Sequence, residues 1–406
     1  MKKVLIEFFD EENLNNCISQ LYFDYDEIHY LYYADQKKIF GIDLIFDALS
    51  EFNQRKMHLD PHYVRTGGND ADGIIAAISR IVNDQDSFDF DLTGGPESFV
   101  FTLGRFVSDR KPDNVRVHYF DFQRKKFFRI FPGYTEEITE QKRVLNVVDL
   151  VMLQGSAVSN SLLRGRNEFR PNLSEQNFSD NILRVWNSVK DHPREWNTFC
   201  TLKNENSPWA PSDEILKKFT SIRMGRCRYF LTALEKAGII DIIVLNGELV
   251  RYRINLPENQ RLLLDKGGSA FEMYAYHTAL SSGVFADCSV GVNVDWDGCV
   301  QDRPEEVTNE VDLILSNGFQ AAFISCKNTE IRNEHVYEID TVAHYYGGKY
   351  AKPVIFSSVE ATKAIRNRAK ESEIILIDNI AAMTLDEFTE RIRDLLYITE
   401  KHPVCP

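Results

Sequence analysis

The chain has 406 residues, 43% of them hydrophobic, which predicts two or three domains, and the lack of an apolar run of about 18 residues excludes a membrane-spanning helix. The net charge of −14 excludes a broadly basic nucleic-acid binder, so any such contact would depend on local basic patches. The seven scattered cysteines form no CxxC pair, which argues against a zinc site or a disulfide scaffold and indicates reduced thiols in a cytoplasm.

Residues 1–150 alternate short apolar runs with helical patterns. The apolar runs predict strands at Lys3–Phe9, Glu27–Tyr33, Pro61–Arg65, Phe88–Leu92 and Val115–Phe122. The segments between them predict helices, including Gly41–Gln54, Asp70–Asp84 and Pro96–Val107. Strands that alternate with helices form βαβ units and a mostly parallel sheet. Because ligands of such sheets bind at the carboxyl ends of the strands, we expect a ligand site there.

Two of these strands end in Thr-Gly-Gly, at Thr66 and at Thr93-Gly94-Gly95. Glycines let the backbone approach a ligand, and a helix N-terminus favours phosphate. The sequence has neither GxGxxG nor GxxxxGK[ST], so neither nucleotide-binding fingerprint is present. A tight strand-to-helix turn without a ligand remains the alternative interpretation.

The loop after the first strand carries Asp10, Glu11 and Asn13. These side chains could hydrogen-bond a base or a ribose. They could equally cap the first helix.

Residues 151–265 predict helices at Asn181–Lys190, Ser212–Phe219 and Gly225–Ala237, followed by a hairpin over residues 242–254. Helices followed by a hairpin resemble a winged helix. Arginines lie on or before the recognition helix and on the wing: Arg223, Arg226, Arg228, Arg251 and Arg253. Such a module either binds DNA or serves as an adaptor or dimerisation module, and the sequence leaves both open.

Asn309–Asn328 predicts an antiparallel hairpin, because Asn317-Gly318 favours a two-residue type I′ turn. With that turn, Ser325 pairs with Glu310. Side chains alternate faces along a strand, so one face carries Glu310, Asp312, Ser325 and Lys327.

This charged face suits metal-assisted phosphodiester hydrolysis. Carboxylates hold a hard cation such as Mg²⁺, the cation activates water, and a lysine stabilises the charge on phosphorus. A solvated, charged hairpin face is the alternative interpretation.

Residues 266–406 predict a helix with Glu272, then a strand, the hairpin, a helix at Asn333–Tyr346, and a further strand–helix–strand unit. This order resembles the restriction-endonuclease-like fold, which places a Glu on its first helix, an Asp near the end of the second strand and (D/E)xK on the third. The matching residues are Glu272, Asp312 and Ser325-Cys326-Lys327. Ser325 departs from the family because it cannot supply a negative charge. Either Glu310 replaces it, or the Cys326 carbonyl joins Asp312, or metal binding is weakened.

Taken together, the chain resembles the CRISPR ancillary nucleases that join a CARF sensor domain to a PD-(D/E)xK nuclease domain. The segments that carry the resemblance are DLTGGPESF, GSAFE, NEVDLIL, FISCKN and HYYGGKYAKPVI. The resemblance implies an α/β multidomain protein: a Rossmann-like CARF domain over 1–150, a winged-helix-like middle over 151–265 and a restriction-endonuclease-like domain over 266–406.

The family implies a homodimer that binds a cyclic oligoadenylate, usually cyclic tetra-adenylate. With Mn²⁺ or Mg²⁺ it then nicks or degrades DNA, and RNA as well, in type III CRISPR antiviral defence. The resemblance assigns the ligand to Asp10, Glu11, Asn13, Thr66, Thr93, Gly94 and Gly95. It assigns metal to Asp312, with Glu272 assisting, and catalysis to these two residues and Lys327. The hairpin register adds Glu310 as a catalytic and metal-binding candidate, and the Cys326 carbonyl is the alternative metal ligand. The rival expectation is a CARF-type transcription regulator with a degenerate nuclease domain.

Overall fold

The computed structural model describes residues 1–33, 42–68, 70–110, 113–131, 134–158, 170–204, 214–218, 221–246, 249–295 and 308–396. Within these ranges the strands form sheets of seven, three and six strands. None of the helices in this part of the chain has the length and apolar character that a bilayer crossing needs.

The seven-stranded sheet comprises β1 (Lys3–Phe8), β2 (Glu27–Tyr32), β3 (His62–Arg65), β4 (Ser87–Asp91), β5 (Val115–Asp121), β6 (Lys126–Phe131) and β7 (Tyr134–Ile138). Its order is β3-β2-β1-β4-β5-β6-β7. The first five strands in this order are parallel, and β6 and β7 continue the sheet antiparallel. The prediction of a mostly parallel sheet is therefore confirmed.

Four helices connect or flank these strands: α1 (Asn13–Tyr22), α2 (Ile42–Phe52), α3 (Ala71–Ile81) and α4 (Glu97–Arg110). All five residues of β4 are buried, as expected for a strand covered on both faces. β1 and β4 are neighbours, but the chain continues from β1 to β2 on one side and from β4 to β5 on the other side of the sheet. Such a point opens a crevice at the carboxyl ends of the strands, and the loops after β1 and β4 lie there.

The chain around residue 150 packs on the six-stranded sheet. α5 (Val147–Leu153) begins with a capping box in which Asn146 and Asp149 exchange hydrogen bonds. The short β8 (Ala157–Val158) pairs with an edge of that sheet. These elements join the first part of the chain to the last.

The middle of the chain contains α6 (Phe178–Val189), α7 (Pro193–Asn204), β9 (Glu214–Lys218), α8 (Ser221–Lys236), β10 (Ile240–Asn246) and β11 (Leu249–Ile254). The predicted hairpin is confirmed, because β10 and β11 pair antiparallel. The helix predicted at Ser212–Phe219 is wrong, because this segment forms β9, which pairs with β11. A short apolar run is compatible with a helix or a strand. Backbone hydrogen bonding to the edge of β11 selects the strand.

The last part of the chain contains α9 (Ser269–Ser282), β12 (Asp287–Asp295), β13 (Thr308–Ser316), β14 (Ala321–Lys327), α10 (Asn333–Gly347), β15 (Lys352–Ser357), α11 (Lys363–Glu371), β16 (Ile375–Ile377) and α12 (Leu385–Arg393). Its sheet runs β16-β15-β14-β13-β12-β8. One core joins this sheet to α6 and α9 through Leu313, Ile324, Trp186 and Phe271. A second core joins it to the N-terminal sheet through Ile314, Phe323, Phe120 and Leu145. The sheet is thus covered on both sides.

The hairpin of β13 and β14 turns one residue later than predicted. Ser316 pairs with Ala321, and the Asn317 N–H donates to the Gln320 carbonyl at 3.1 Å. The two turn residues are therefore Gly318, with φ +104°, and Phe319. The Gly318 carbonyl accepts from the N–H of Leu145 at 2.7 Å, so a contact distant in sequence selects this turn.

Candidate active site and strand-end loops

The register of the hairpin corrects the predicted pairing. Leu313 pairs with Ile324, and continuing this pairing sets Asp312 opposite Ser325 and Glu310 opposite Lys327. The expectation that Glu310 lies opposite Ser325 is wrong. Moving the turn by one residue shifts each pair by two residues, so the prediction of which side chains share a face is unaffected.

The described ladder between β13 and β14 ends at Leu313 and Ile324, and the Asp312 carboxylate connects the strands beyond it. The backbone N–H of Cys326 donates to Asp312 Oδ2 at 2.6 Å. The Ser325 hydroxyl lies 3.5 Å from the same oxygen, a marginal hydrogen bond. Ser325 thus faces the Asp312 carboxylate, which a carboxylate at position 325 would repel.

Glu272 lies in the first turn of α9 and faces the hairpin. Burial, reinforced by the negative charges of Asp312 and Glu310, raises the pKa of Glu272 to about 8. Burial also raises the pKa of Asp312, although Lys327 and the Cys326 N–H oppose that rise. A Cβ on Gly268 would lie 2.5 Å from Glu272 Oε1, so glycine leaves room for this carboxyl group.

Two lysines accompany the carboxylates. Lys327 is half-buried, and its positive charge opposes the rise in the pKa values of Glu272 and Asp312. Lys266 Nζ lies 3.8 Å from Glu310 Oε2, with side chains 72% and 54% exposed. Sequence reasoning missed Lys266, which precedes α9 and carries no motif.

The donor set fits a hard divalent cation. The groups are carboxylate oxygens, the ligands that Mg²⁺ and Mn²⁺ prefer. Burial raises the pKa values of Glu272 and Asp312, and a bound cation would stabilise their ionised forms. The predicted metal residues Asp312, Glu310 and Cys326 lie on these two strands. Among the described residues, however, the group in which three His, Cys, Asp or Glu side chains bring ligand atoms within 4.8 Å of one another is elsewhere, at Glu27, His29 and His62.

At the carboxyl ends of the parallel strands, the predicted ligand side chains make internal hydrogen bonds. The Asp10 carboxylate accepts from the backbone N–H groups of Gly95 at 2.9 Å and Glu12 at 2.8 Å. The Thr93 hydroxyl donates to Asp91 and accepts from the Phe120 N–H at 2.8 Å. These side chains shape the loops after β1 and β4.

Two other predicted ligand residues, Thr66 and Asn13, also make internal hydrogen bonds. The Thr66 hydroxyl is buried and donates to the Gly68 carbonyl at 2.9 Å. The Asn13 amide is buried and donates to the Leu153 carbonyl at 2.5 Å. Glu11 is exposed at the surface of the loop after β1.

The two glycines of the second Thr-Gly-Gly are needed for packing. A Cβ on Gly94 would lie 2.8 Å from the Asp10 Cβ. Gly95 has φ +88°, and a Cβ there would lie 2.4 Å from the Phe8 Cβ. The tight turn alone therefore requires both glycines.

The loop after β1 also contacts the six-stranded sheet, which sequence reasoning missed. The Glu12 carboxylate accepts from the Lys349 N–H at 2.7 Å and from the Gln154 amide at 3.2 Å. The Tyr350 hydroxyl donates to Asn15 Oδ1 at 3.0 Å. The only sequence signal was the Gly347-Gly348 that ends α10, where a Cβ on Gly348 would lie 2.7 Å from Glu12 Oε1.

The basic residues of the middle region are described in part. Arg228, Arg251 and Arg253 are exposed, whereas the side chains of Arg223 and Arg226 lie outside the described residues. α8 and the β10–β11 hairpin therefore present basic groups at the surface.

No family model matches the chain, and no curated protein matches it. Two solved structures share its fold from end to end. Protein VC1899 from Vibrio cholerae superposes with a TM-score of 0.73 at 16% identity, covering 96% of this chain and 96% of that chain. Can2 from Sulfobacillus thermosulfidooxidans, solved in complex with cyclic tetra-adenylate, gives a TM-score of 0.66 at 12% identity, covering 97% of each chain.

At these identities the likeness concerns the fold alone. The whole chain, from the parallel sheet through the middle region to the hairpin sheet, has the architecture of these two proteins. The α/β multidomain expectation is therefore confirmed.

Proposed function

We propose that the protein is a nuclease of type III CRISPR defence, activated by a cyclic oligoadenylate and dependent on a divalent metal. The observation that carries the proposal is the fold shared along 97% of the chain with a protein solved in complex with cyclic tetra-adenylate. The carboxylates and lysines gathered at the β13–β14 hairpin support the nuclease activity.

We assign the activator to the crevice between β1 and β4. The Asp10 and Thr93 side chains and the Gly95 N–H are occupied by internal hydrogen bonds, so we assign recognition to the N-terminal end of α4. Backbone N–H groups and a helix N-terminus are what a phosphodiester prefers. A cyclic, symmetric ligand also suits a pair of identical chains related by a two-fold axis, so the proposal includes a homodimer.

We assign cleavage of nucleic acid to the hairpin. A bound Mn²⁺ or Mg²⁺ would polarise the scissile phosphate and activate water. Asp312, oriented by the Cys326 N–H, would hold the ion, with Glu272 and Glu310 as further oxygen donors. Lys327 would stabilise the negative charge that builds up on the phosphate. Lys266, at the exposed rim, would attract the substrate backbone.

The test is incubation of the protein with supercoiled plasmid, single-stranded DNA or RNA, and Mn²⁺, with each cyclic oligoadenylate in turn. We expect cleavage of DNA with one ring size and little cleavage without it. Cleavage that is equally fast without any activator would contradict the sensor, and no cleavage with any ring or metal would contradict the nuclease.

Ser325 favours a second candidate, a ligand-responsive transcription regulator with a degenerate nuclease domain. Its position facing Asp312 removes a charge that the nuclease family supplies there, and exposed arginines lie on the hairpin of the middle region. Sequence-specific duplex binding that responds to the cyclic oligoadenylate, without cleavage at any metal concentration, would establish this alternative.

A further inference from the structure

Glu27, His29 and His62 form a cluster on the N-terminal sheet, away from both sites described above. Glu27 and His29 are two residues apart on β2, so their side chains share one face. His62 is the first residue of β3 and pairs with His29 in the parallel register. Pairing across the strands thus brings together two histidines and a glutamate that are distant in sequence.

The geometry of the cluster is that of a metal site with three protein ligands. His29 Nε2 lies 2.8 Å and His62 Nε2 3.7 Å from the same oxygen, Glu27 Oε1. The ligand atoms of all three lie within 4.8 Å of one another. Two ligand atoms that each lie about 2.0–2.2 Å from a tetrahedral zinc ion are farther apart than the 2.8 Å between His29 and Glu27. They are closer together than the 4.8 Å limit that encloses all three ligand atoms.

The surroundings of the cluster suit a bound cation as well. The two imidazole rings are stacked, with centroids 4.8 Å apart and planes 28° from parallel, so the exposed His62 ring would rotate to direct its nitrogen at the same point as that of His29. Lys2 Nζ lies 2.9 Å from Glu27 Oε2, the oxygen that the histidines do not contact. A carboxylate that binds metal through one oxygen commonly accepts a hydrogen bond at the other.

We propose that Glu27, His29 and His62 bind a zinc-like transition-metal ion, with water completing the coordination on the exposed His62 side. Two imidazoles and one carboxylate favour Zn²⁺ over Mg²⁺, which prefers oxygen ligands. The cysteine pattern of the sequence does not bear on this site, since no cysteine belongs to it. The ion would clamp β3, a four-residue edge strand, onto β2.

An unmetallated ion-pair cluster is the rival interpretation, because Glu27 already pairs with Lys2 and His29. The two interpretations differ in metal content, which a purely structural role would not change. The proposal is also independent of nuclease activity, since none of its residues belongs to the hairpin.

The experiment is equilibrium dialysis of the full chain against micromolar Zn²⁺ in millimolar Mg²⁺, which competes for the carboxylates of the hairpin, with zinc content measured per chain, and Co²⁺ substitution to record the visible absorption of a tetrahedral site. The variants are Glu27→Gln, His62→Ala and Asp312→Ala. The matched control is His58→Asn, which alters an exposed histidine whose left-handed backbone, φ 57°, asparagine also adopts.

We expect one zinc per chain in the wild type, in His58→Asn and in Asp312→Ala. We expect its loss in His62→Ala and an affinity at least about tenfold weaker in Glu27→Gln. No zinc in the wild type, or zinc retained by His62→Ala, overturns the proposal. Zinc that is lost only in Asp312→Ala assigns the ion to the hairpin and overturns it equally. Circular dichroism confirms that His62→Ala is folded before its metal content is compared.

Discussion

The loops after β1 and β4 and the β13–β14 hairpin use polar side chains in opposite ways. In the loops, Asp10 and Thr93 are held by hydrogen bonds to the backbone and to a buried aspartate. At the hairpin, Glu310 is 54% exposed and Lys266 72% exposed. The loops therefore present a backbone surface fixed by internal hydrogen bonds, whereas the hairpin presents side chains to solvent.

A similar difference separates the buried charges of the two regions. Beneath the loops, burial raises the pKa of Asp91 to about 7 and the pKa of Glu7 well above its ordinary value. These carboxyl groups are sealed within the sheet. At the hairpin, Asp312 is only partly buried, so a cation can reach it. Burial therefore favours the protonated form of Asp91 and Glu7, whereas Asp312 is accessible to a ligand.

The largest expected effect is the loss of nicking when Asp312 or Lys327 of the hairpin is substituted. Asp312→Asn keeps an acceptor for the Cys326 N–H but removes the charge, and Lys327→Ala removes the cation. We expect each to reduce metal-dependent plasmid nicking by more than about 100-fold with little change in melting temperature.

Glu310→Gln is the comparison variant for that experiment, because its exposed ion pair with Lys266 contributes at most about 1 kcal/mol to stability. It should reduce nicking less than Asp312→Asn does. The exposed Lys363→Ala should leave nicking unchanged. Undiminished nicking by Asp312→Asn would remove the hairpin from the mechanism.

Two glycines of the N-terminal domain test whether the loop backbone is rigid. Gly95→Ala forces a side chain onto φ +88° and against Phe8, and we expect a loss of about 2–5 kcal/mol in unfolding free energy. Gly104 lies in α4 with no atom near its Cβ position, so Gly104→Ala should stabilise by up to about 1 kcal/mol. Urea denaturation measures both, and equal effects would mean that the loop is not rigid.

The buried Asp91 makes stability depend on pH. Its folded pKa of about 7 lies above the ordinary value of 3.8, so the folded state binds the proton more tightly and stability falls as the pH rises from about 4 to about 7. Asp89 adds to the rise in pKa, and His118 Nε2 lies 3.7 Å away with its own pKa lowered to about 3 by burial.

Asp91→Asn removes this ionisation while keeping an acceptor for the Thr93 N–H. At pH 8 we expect the variant to be more stable than the wild type by of order 2 kcal/mol. The advantage should shrink as the pH falls and vanish below about pH 4, where Asp91 is protonated in the unfolded chain as well. Chemical denaturation across this range gives the comparison, and parallel pH profiles would contradict the assignment.

The last expected effect concerns the link between the loop after β1 and the segments that flank the six-stranded sheet. Glu12→Ala removes the acceptor of the Lys349 N–H and of the Gln154 amide, and we expect a loss of about 1–3 kcal/mol with faster hydrogen exchange at Lys349. The neighbouring, exposed Glu11 supplies the control, because Glu11→Ala should alter neither. Unchanged exchange at Lys349 in Glu12→Ala would show that this contact does not hold the sheets together.

Most of the strands and helices were predictable, because hydrophobic period and glycine placement are local properties. β9 was predicted as a helix, because its strand conformation comes from pairing with β11. Glu12 and Lys266 carry no motif, and their roles arise from residues far away in sequence. The cluster of Glu27, His29 and His62 was equally invisible, since only the pairing of β2 with β3 assembles it.

The face on which each hairpin side chain lies follows from the local sequence. Alternation along a strand placed Asp312, Ser325 and Lys327 on one face, because side-chain direction has a period of two whatever the register. Tertiary structure alone decided the register, since the contact of Gly318 with Leu145 moves the turn by one residue. It also decided the charge state of Glu272, because burial against Asp312 raises its pKa, and burial is a property of the assembled fold.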